Sequence, residues 1–168
     1  MTAGLLVILA AFSILVGGGV LMYAVGFYNS LVQVRNNVNK AWYNIDVLLQ
    51  QRHDEIPKLV EVCRGFMAHE QALLVELTRL RSQYIEASSV EQKTLIENRL
   101  ARGLTLFRAT AENYPDLKSS ALFVNISGRI SVLESGIAQR REFFNESVNV
   151  YNIEIERFPA LILAFFLN

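Results

Sequence analysis

The sequence predicts an all-α protein, with an N-terminal transmembrane helix running into an antiparallel bundle of about four long helices. Three observations carry this reading. Residues 2–34 hold no charged side chain, and all sixteen acids and sixteen bases lie beyond them. Apolar positions then recur every three or four residues almost to the chain end. Alternating strand patterns and hairpin dipeptides are missing.

The first element is "GLLVILAAFSILVGGGVLMYAVGF", residues 4–27. Leu5, Ile8, Phe12, Leu15, Leu21 and Phe27 make it apolar throughout, and as a helix it is long enough to cross about 30 Å of hydrocarbon. A cleaved signal peptide would want a basic start, a shorter apolar core and a small-residue cleavage site; the basic start is missing. A core helix of a soluble domain would not stay uncharged for so long. Residues 1–27 are therefore expected to be a membrane anchor and residues 28–168 a helical bundle. Gly17, Gly18 and Gly19 interrupt the span, and Ser13 with Gly17 has the spacing at which two membrane helices approach closely. Glycine is common in membrane helices generally, and that is the preferred reading of these glycines; self-association through this face is the alternative.

Arg35 and Lys40 follow the span, whereas no Lys or Arg precedes it. The positive-inside rule then puts the bundle in the cytoplasm and the short N-terminus outside. Cys63 is the lone cysteine, so no intrachain disulfide forms, which fits a reducing compartment.

Four apolar runs follow the anchor. The first passes through Leu31, Val34, Val38, Ala41, Ile45 and Leu49, and the second from Ile56 to Tyr84. The third takes in Ile96, Leu100, Leu104 and Phe107; the fourth runs from Phe123 through Ile130 and Ile137 to Phe158. Pro57 is expected to break or kink the chain after the first run. Ser88 with Glu91, or Ser89 with Gln92, offers a capping box for the third helix, and Asp116 a cap for the fourth.

By parity, a fourth helix returns to the bilayer. The apolar chain end, with Pro159, Leu161, Ile162, Leu163, Phe165 and Phe166, is then expected at the membrane interface, against the anchor's base, or as a core-packing tail. Residues 116–158 make about 64 Å of helix against about 37 Å for residues 29–53. The fourth helix is therefore expected to break near Gly128 or Gly136, or the bundle to be ragged.

Signals for chemistry are few. His53, Asp54 and Glu55 are consecutive, so on a helix they diverge by about 100° each and do not converge on one ion. Zinc-type His and Cys spacings, nucleophile motifs and phosphate-binding glycine loops do not occur. Asp54 and Glu55 read instead as acids ahead of a helix opened by Pro57. Cys63 lies in an apolar row, as an inert core residue does. Glu70 and Arg140 occupy matching registers on two helices and form an expected structural pair. A formal net charge of zero, with acids interleaved among the arginines, gives no field for nucleic acid.

The stretch from Tyr28 through Ala41-Trp42, Ile45-Asp46-Val47, Arg52 and Ile56-Pro57 to His69-Glu70 closely resembles the signature of the LemA family. "AENYPDLK" at residues 111–118, Arg140-Arg141, Tyr151-Asn152 and Phe158-Pro159 follow in the family's order. Lys58 stands where asparagine is common, and Phe143-Phe144 where Tyr-Tyr is common, one place along. The resemblance implies a bacterial inner-membrane, single-pass helical bundle whose biochemical role is poorly defined, with some relatives associated with building internal membranes. The expected function is a non-enzymatic scaffold or interaction protein without cofactor or metal. Its expected partners are membrane lipid, a second copy of itself, or an unidentified membrane protein. Membrane remodelling is the first alternative, and an enzyme using His53 or His69 the second.

Overall fold

A computed structural model of the protein describes residues 2–158, and all regular structure among them is α-helical. The helices are α1 (Thr2–Arg64), α2 (Gln71–Glu86), α3 (Val90–Ala111), α4 (Pro115–Ser119) and α5 (Ala121–Glu156). The tail residues Pro159, Leu161, Ile162, Leu163, Phe165 and Phe166 lie outside the described residues. The chain packs as two units, Met1–Asn44 with Arg140–Asn168, and Ile45–Gln139, and both α1 and α5 contribute to each.

In the first unit, the apolar start of α1 is unburied. Leu5, Ile8, Phe12, Leu15 and Leu21 are between 62% and 74% exposed. A core helix would hide such side chains; their exposure fits a membrane-associated segment. Among the described residues this is the one helix long and apolar enough to cross a membrane. A Cβ placed on Gly17, Gly18 or Gly19 would meet open space, so contacts within the chain do not require these glycines. Further along, Leu31, Val34 and Val38 become half-buried and Ala41 fully buried. Trp42 packs edge-on against Phe144 of α5, ring centroids 5.8 Å apart.

The second unit holds the main core, where Ile56, Leu59, Leu77, Leu100, Leu104 and Phe107 are essentially inaccessible. Leu48 lies beside Gly136 and Glu55 beside Arg129, so α1 and α5 run antiparallel here. Leu77 lies beside Gly103 and Tyr84 beside Lys93, which makes α2 and α3 antiparallel as well. A Cβ on Gly103 would stand 3.1 Å from Leu77, and one on Gly136 3.3 Å from Leu48. Both glycines therefore set helix spacing.

Pro57 does not break the chain. It lies exposed inside α1, which continues to Arg64. An interior proline costs about 3 kcal/mol, because the His53 carbonyl loses its N–H partner and the ring crowds the preceding turn. Ile56, Leu59, Val60 and Cys63 are buried around it. At about 1.5–3 kcal/mol for each large apolar side chain, their burial outweighs that cost. The reversal comes at residues 65–70, where the Phe66 and Met67 N–H groups both donate to the Cys63 carbonyl.

The longer α1 also removes the expected length mismatch. Residues 29–64 equal the 36 residues of α5, which stays unbroken at Gly128 and Gly136. Ser89 caps α3 by accepting from the Gln92 N–H at 3.2 Å, while Gln92 Oε1 accepts from the Ser88 N–H. Asp116 does not cap the last long helix. It sits in the first turn of the short α4, after Tyr114 and Pro115, and α5 begins only at Ala121.

Candidate functional site: a sealed ion cluster

The long α1 carries Arg52, His53 and Glu55 into the second unit's interior, where they are 4%, 2% and 3% exposed. Consecutive residues on a helix diverge, but Arg52 and His53 both reach one acceptor on α3, Glu97, itself 1% exposed. Arg52 Nη2 donates to Glu97 Oε2, and His53 Nε2 lies 2.6 Å from Glu97 Oε1. His53 Nδ1 and Arg52 Nε have no hydrogen-bond partner. Glu134 of α5 lies 3.9 Å from Arg52 Nη1 and also pairs with Arg108 of α3.

A second polar group abuts the first. The His53 ring stacks on Tyr84 of α2, centroids 4.0 Å apart and planes 21° apart. Tyr84 Oη donates to Asp46 at 2.7 Å, and Lys93 Nζ donates to the same oxygen at 2.8 Å. Burial pushes Asp46 upward, but the hydrogen bonds from Lys93 and Tyr84 outweigh it and hold its carboxyl below the ordinary value. Burial, then the neighbouring Asp46, pushes the Tyr84 phenol above its ordinary value. These contacts tie α1, α2, α3 and α5 together through charge-assisted hydrogen bonds.

The other expected site residues lie outside this cluster. Asp54 and His69 are exposed, in α1 and in the turn before α2. Glu55 accepts from Lys58 at 2.9 Å and from Arg129 at 2.5 Å, as a partner in α1–α5 packing rather than as an acid ahead of a helix. Glu70 and Arg140 belong to different units. Glu70 stands at the N-cap of α2 and accepts from Tyr114 at 3.4 Å, while Arg140 is exposed on α5. Cys63 is fully buried, and burial pushes its thiol up to about 12. Among the described residues, no three His, Cys, Asp or Glu side chains are grouped to hold a metal.

Glu97 is the residue that sequence reasoning missed. It stands one and two helical turns before Leu100 and Leu104, in the core register of the third run. A charged residue in that register announces a buried pair, but nothing in the sequence names the partner.

The family sequence model described as "LemA family" matches residues 41–168. Protein LemA of Metamycoplasma hominis is 29% identical over 139 residues, covering 80% of this chain and 62% of its own length. Magnetosome protein MamQ 2 of Paramagnetospirillum magneticum is 25% identical over 164 residues, covering 82% of this chain and 60% of its own. Magnetosome protein MamQ of Magnetospirillum gryphiswaldense is 24% identical over 163 residues, with the same coverage of 82% and 60%. The chain thus spans about 60% of the length of the curated relatives it matches.

Proposed function

Because the chain belongs to the LemA family, we propose that it works as a non-enzymatic, self-associating scaffold anchored once in the bacterial inner membrane, its bundle in the cytoplasm. The observation that carries this reading is the course of α1. One helix begins as an unburied apolar span and continues without interruption to Arg64, carrying Arg52 and His53 to the buried Glu97. Such a helix holds a bundle at a bilayer, and in the interior Arg52 and His53 both engage Glu97 of a neighbouring helix.

Chemical crosslinking in native membranes, followed by size analysis, tests the scaffold. The reading expects homo-oligomers or a fixed protein partner; a lone monomer at native abundance contradicts it. For orientation, a cysteine placed at the exposed Ala101, with Cys63→Ala, should stay unlabelled by an impermeant reagent in intact cells. Labelling there reverses the topology.

A second reading, membrane remodelling, draws on the relatives named magnetosome proteins. It expects purified full-length protein to deform vesicles, and deletion of residues 159–168 to weaken that effect without unfolding the bundle. Equal behaviour of the two proteins on vesicles removes the tail from the account.

A further inference from the structure

Where α1 ends and α2 begins, the second unit carries an open groove of about 590 Å³. Val60 of α1, Met67 of the turn, and Leu74 and Val75 of α2 line it, and Val75 is 64% exposed. Phe66, next to Met67 in the turn, is a second exposed apolar side chain at this corner. Large apolar side chains left to water along a groove mark a docking surface. The groove follows α2 from Gln71 to Ser82, about 17 Å or three helical turns.

Its polar lining selects the occupant. The Thr78 and Ser82 hydroxyls donate to the Leu74 and Thr78 carbonyls, at 3.0 Å and 3.3 Å, and so serve their own helix rather than a polar ligand. The charged residues lining the groove are Arg64 and Arg79, with no acid among them. Two other grooves of this unit hold both signs, Glu86 with Arg99 in one, and Asp54 and Glu55 with Lys58 and Arg129 in the other. Among the described residues Arg64 forms no ion pair. Arg79 gives Nε and Nη2 to Glu76, at 2.7 Å each, and keeps Nη1. In a chain of zero formal net charge, this groove is a local cationic site over an apolar floor.

The two guanidiniums are spread along the groove. Arg64 closes α1 at the end where Gln71 opens α2, and Arg79 stands about two turns further along α2. A small anion would meet an arginine but leave the Val75 side of the groove wet. A purely apolar helix would cover Val75 but strip water from Arg64 without giving it a partner. A helix that carries both an apolar stripe and carboxylates answers both demands.

We propose that the groove between the end of α1 and α2 docks an amphipathic helix of a protein partner, about three turns long, whose apolar stripe is flanked by acidic side chains about two turns apart. The stripe covers Val75 and reaches Met67 and Leu74, while the two acids take Arg64 and the free Nη1 of Arg79. The inference rests on the scaffold reading above and gives it a surface and a class of partner.

The test uses the full chain in phosphatidylcholine nanodiscs and two fluorescent helical peptides read by anisotropy. Both carry leucines on one stripe; one has glutamates about two turns apart beside it, the other lysines at the same two places. The glutamate peptide should bind saturably and about tenfold more tightly at low salt, with the difference shrinking as salt rises. Arg64→Glu should remove that preference. Val75→Asp, on an exposed side chain, should abolish binding of the glutamate peptide while leaving helicity by circular dichroism unchanged. Equal binding of the two peptides by wild type overturns the acidic partner, and binding that survives Val75→Asp overturns the groove. If neither peptide binds while crosslinking in native membranes still returns oligomers, the groove falls and the scaffold reading stands. Preferential glutamate-peptide binding by a chain that is monomeric in native membranes keeps the groove and overturns the scaffold.

Discussion

His53 and Glu97, 44 positions apart in sequence, meet at 2.6 Å in an interior where neither is more than 2% exposed. Glu97 also takes Arg52, so a single carboxylate on α3 answers two successive residues of α1. Desolvating these groups is expensive, and the cluster is tolerated because each charge has a partner. Removing one partner should therefore cost far more than the cluster adds.

Glu97→Leu strands the Arg52 guanidinium and should destabilise the bundle by about 3–5 kcal/mol. Combining Arg52→Met with Glu97→Leu should cost clearly less than the two single changes summed. Denaturant unfolding of the full chain in detergent, read as a double-mutant cycle, checks this. Additive effects would mean that the two groups do not interact.

Pro57→Ala should stabilise α1. It restores an N–H to the His53 carbonyl and relieves the preceding turn, a gain of up to about 3 kcal/mol, less the roughly 0.4–1 kcal/mol by which proline restricts the unfolded chain. A higher unfolding midpoint is expected. Destabilisation would place Pro57 at a turn, not in a helix.

That proline marks where the sequence was legible and where it was not. The uncharged run located the long apolar helix, periodicity the core rows, and the capping motif left Ser88 and Ser89 as alternatives of which the structure uses Ser89. Local punctuation misplaced the first corner, because proline's local cost was weighed without the burial of Ile56, Leu59 and Val60 around it. The divergence of His53, Asp54 and Glu55 was sound geometry. It did not reveal Glu97, since convergence on a residue from another helix is a property of packing.

Asp46 should make the bundle acid-sensitive. Its carboxyl titrates below its ordinary value when folded, so its contribution is fully present above the unfolded pKa, about 3.9. The contribution is lost as pH falls through the lower folded value. Asp46→Asn should lower the melting temperature at pH 7, by an effect of at most about 1 kcal/mol for so shallow a site. The gap to wild type should narrow as pH falls below that unfolded value. A gap that is constant from pH 7 to pH 2 would show that the charge of Asp46 contributes nothing.

Cys63 should be inert. Burial holds its thiol at about 12, so a small maleimide should leave it unmodified in the native protein for hours and label it at once in denaturant. Rapid native labelling would mean that the core around Met67 and Leu74 opens readily.

α1 runs unbroken from Thr2 to Arg64, with residues 4–27 as its proposed membrane span. A single-cysteine spin-label scan of residues 4–64 in nanodiscs, with Cys63→Ala throughout, measures it directly. Collision with oxygen should exceed collision with a polar nickel reagent across residues 4–27. From there to Arg64, accessibility should oscillate with a period near 3.6 residues and pass Pro57 without interruption. Water-accessible labels across residues 4–27, or a run of uniformly accessible labels around Pro57, would contradict it.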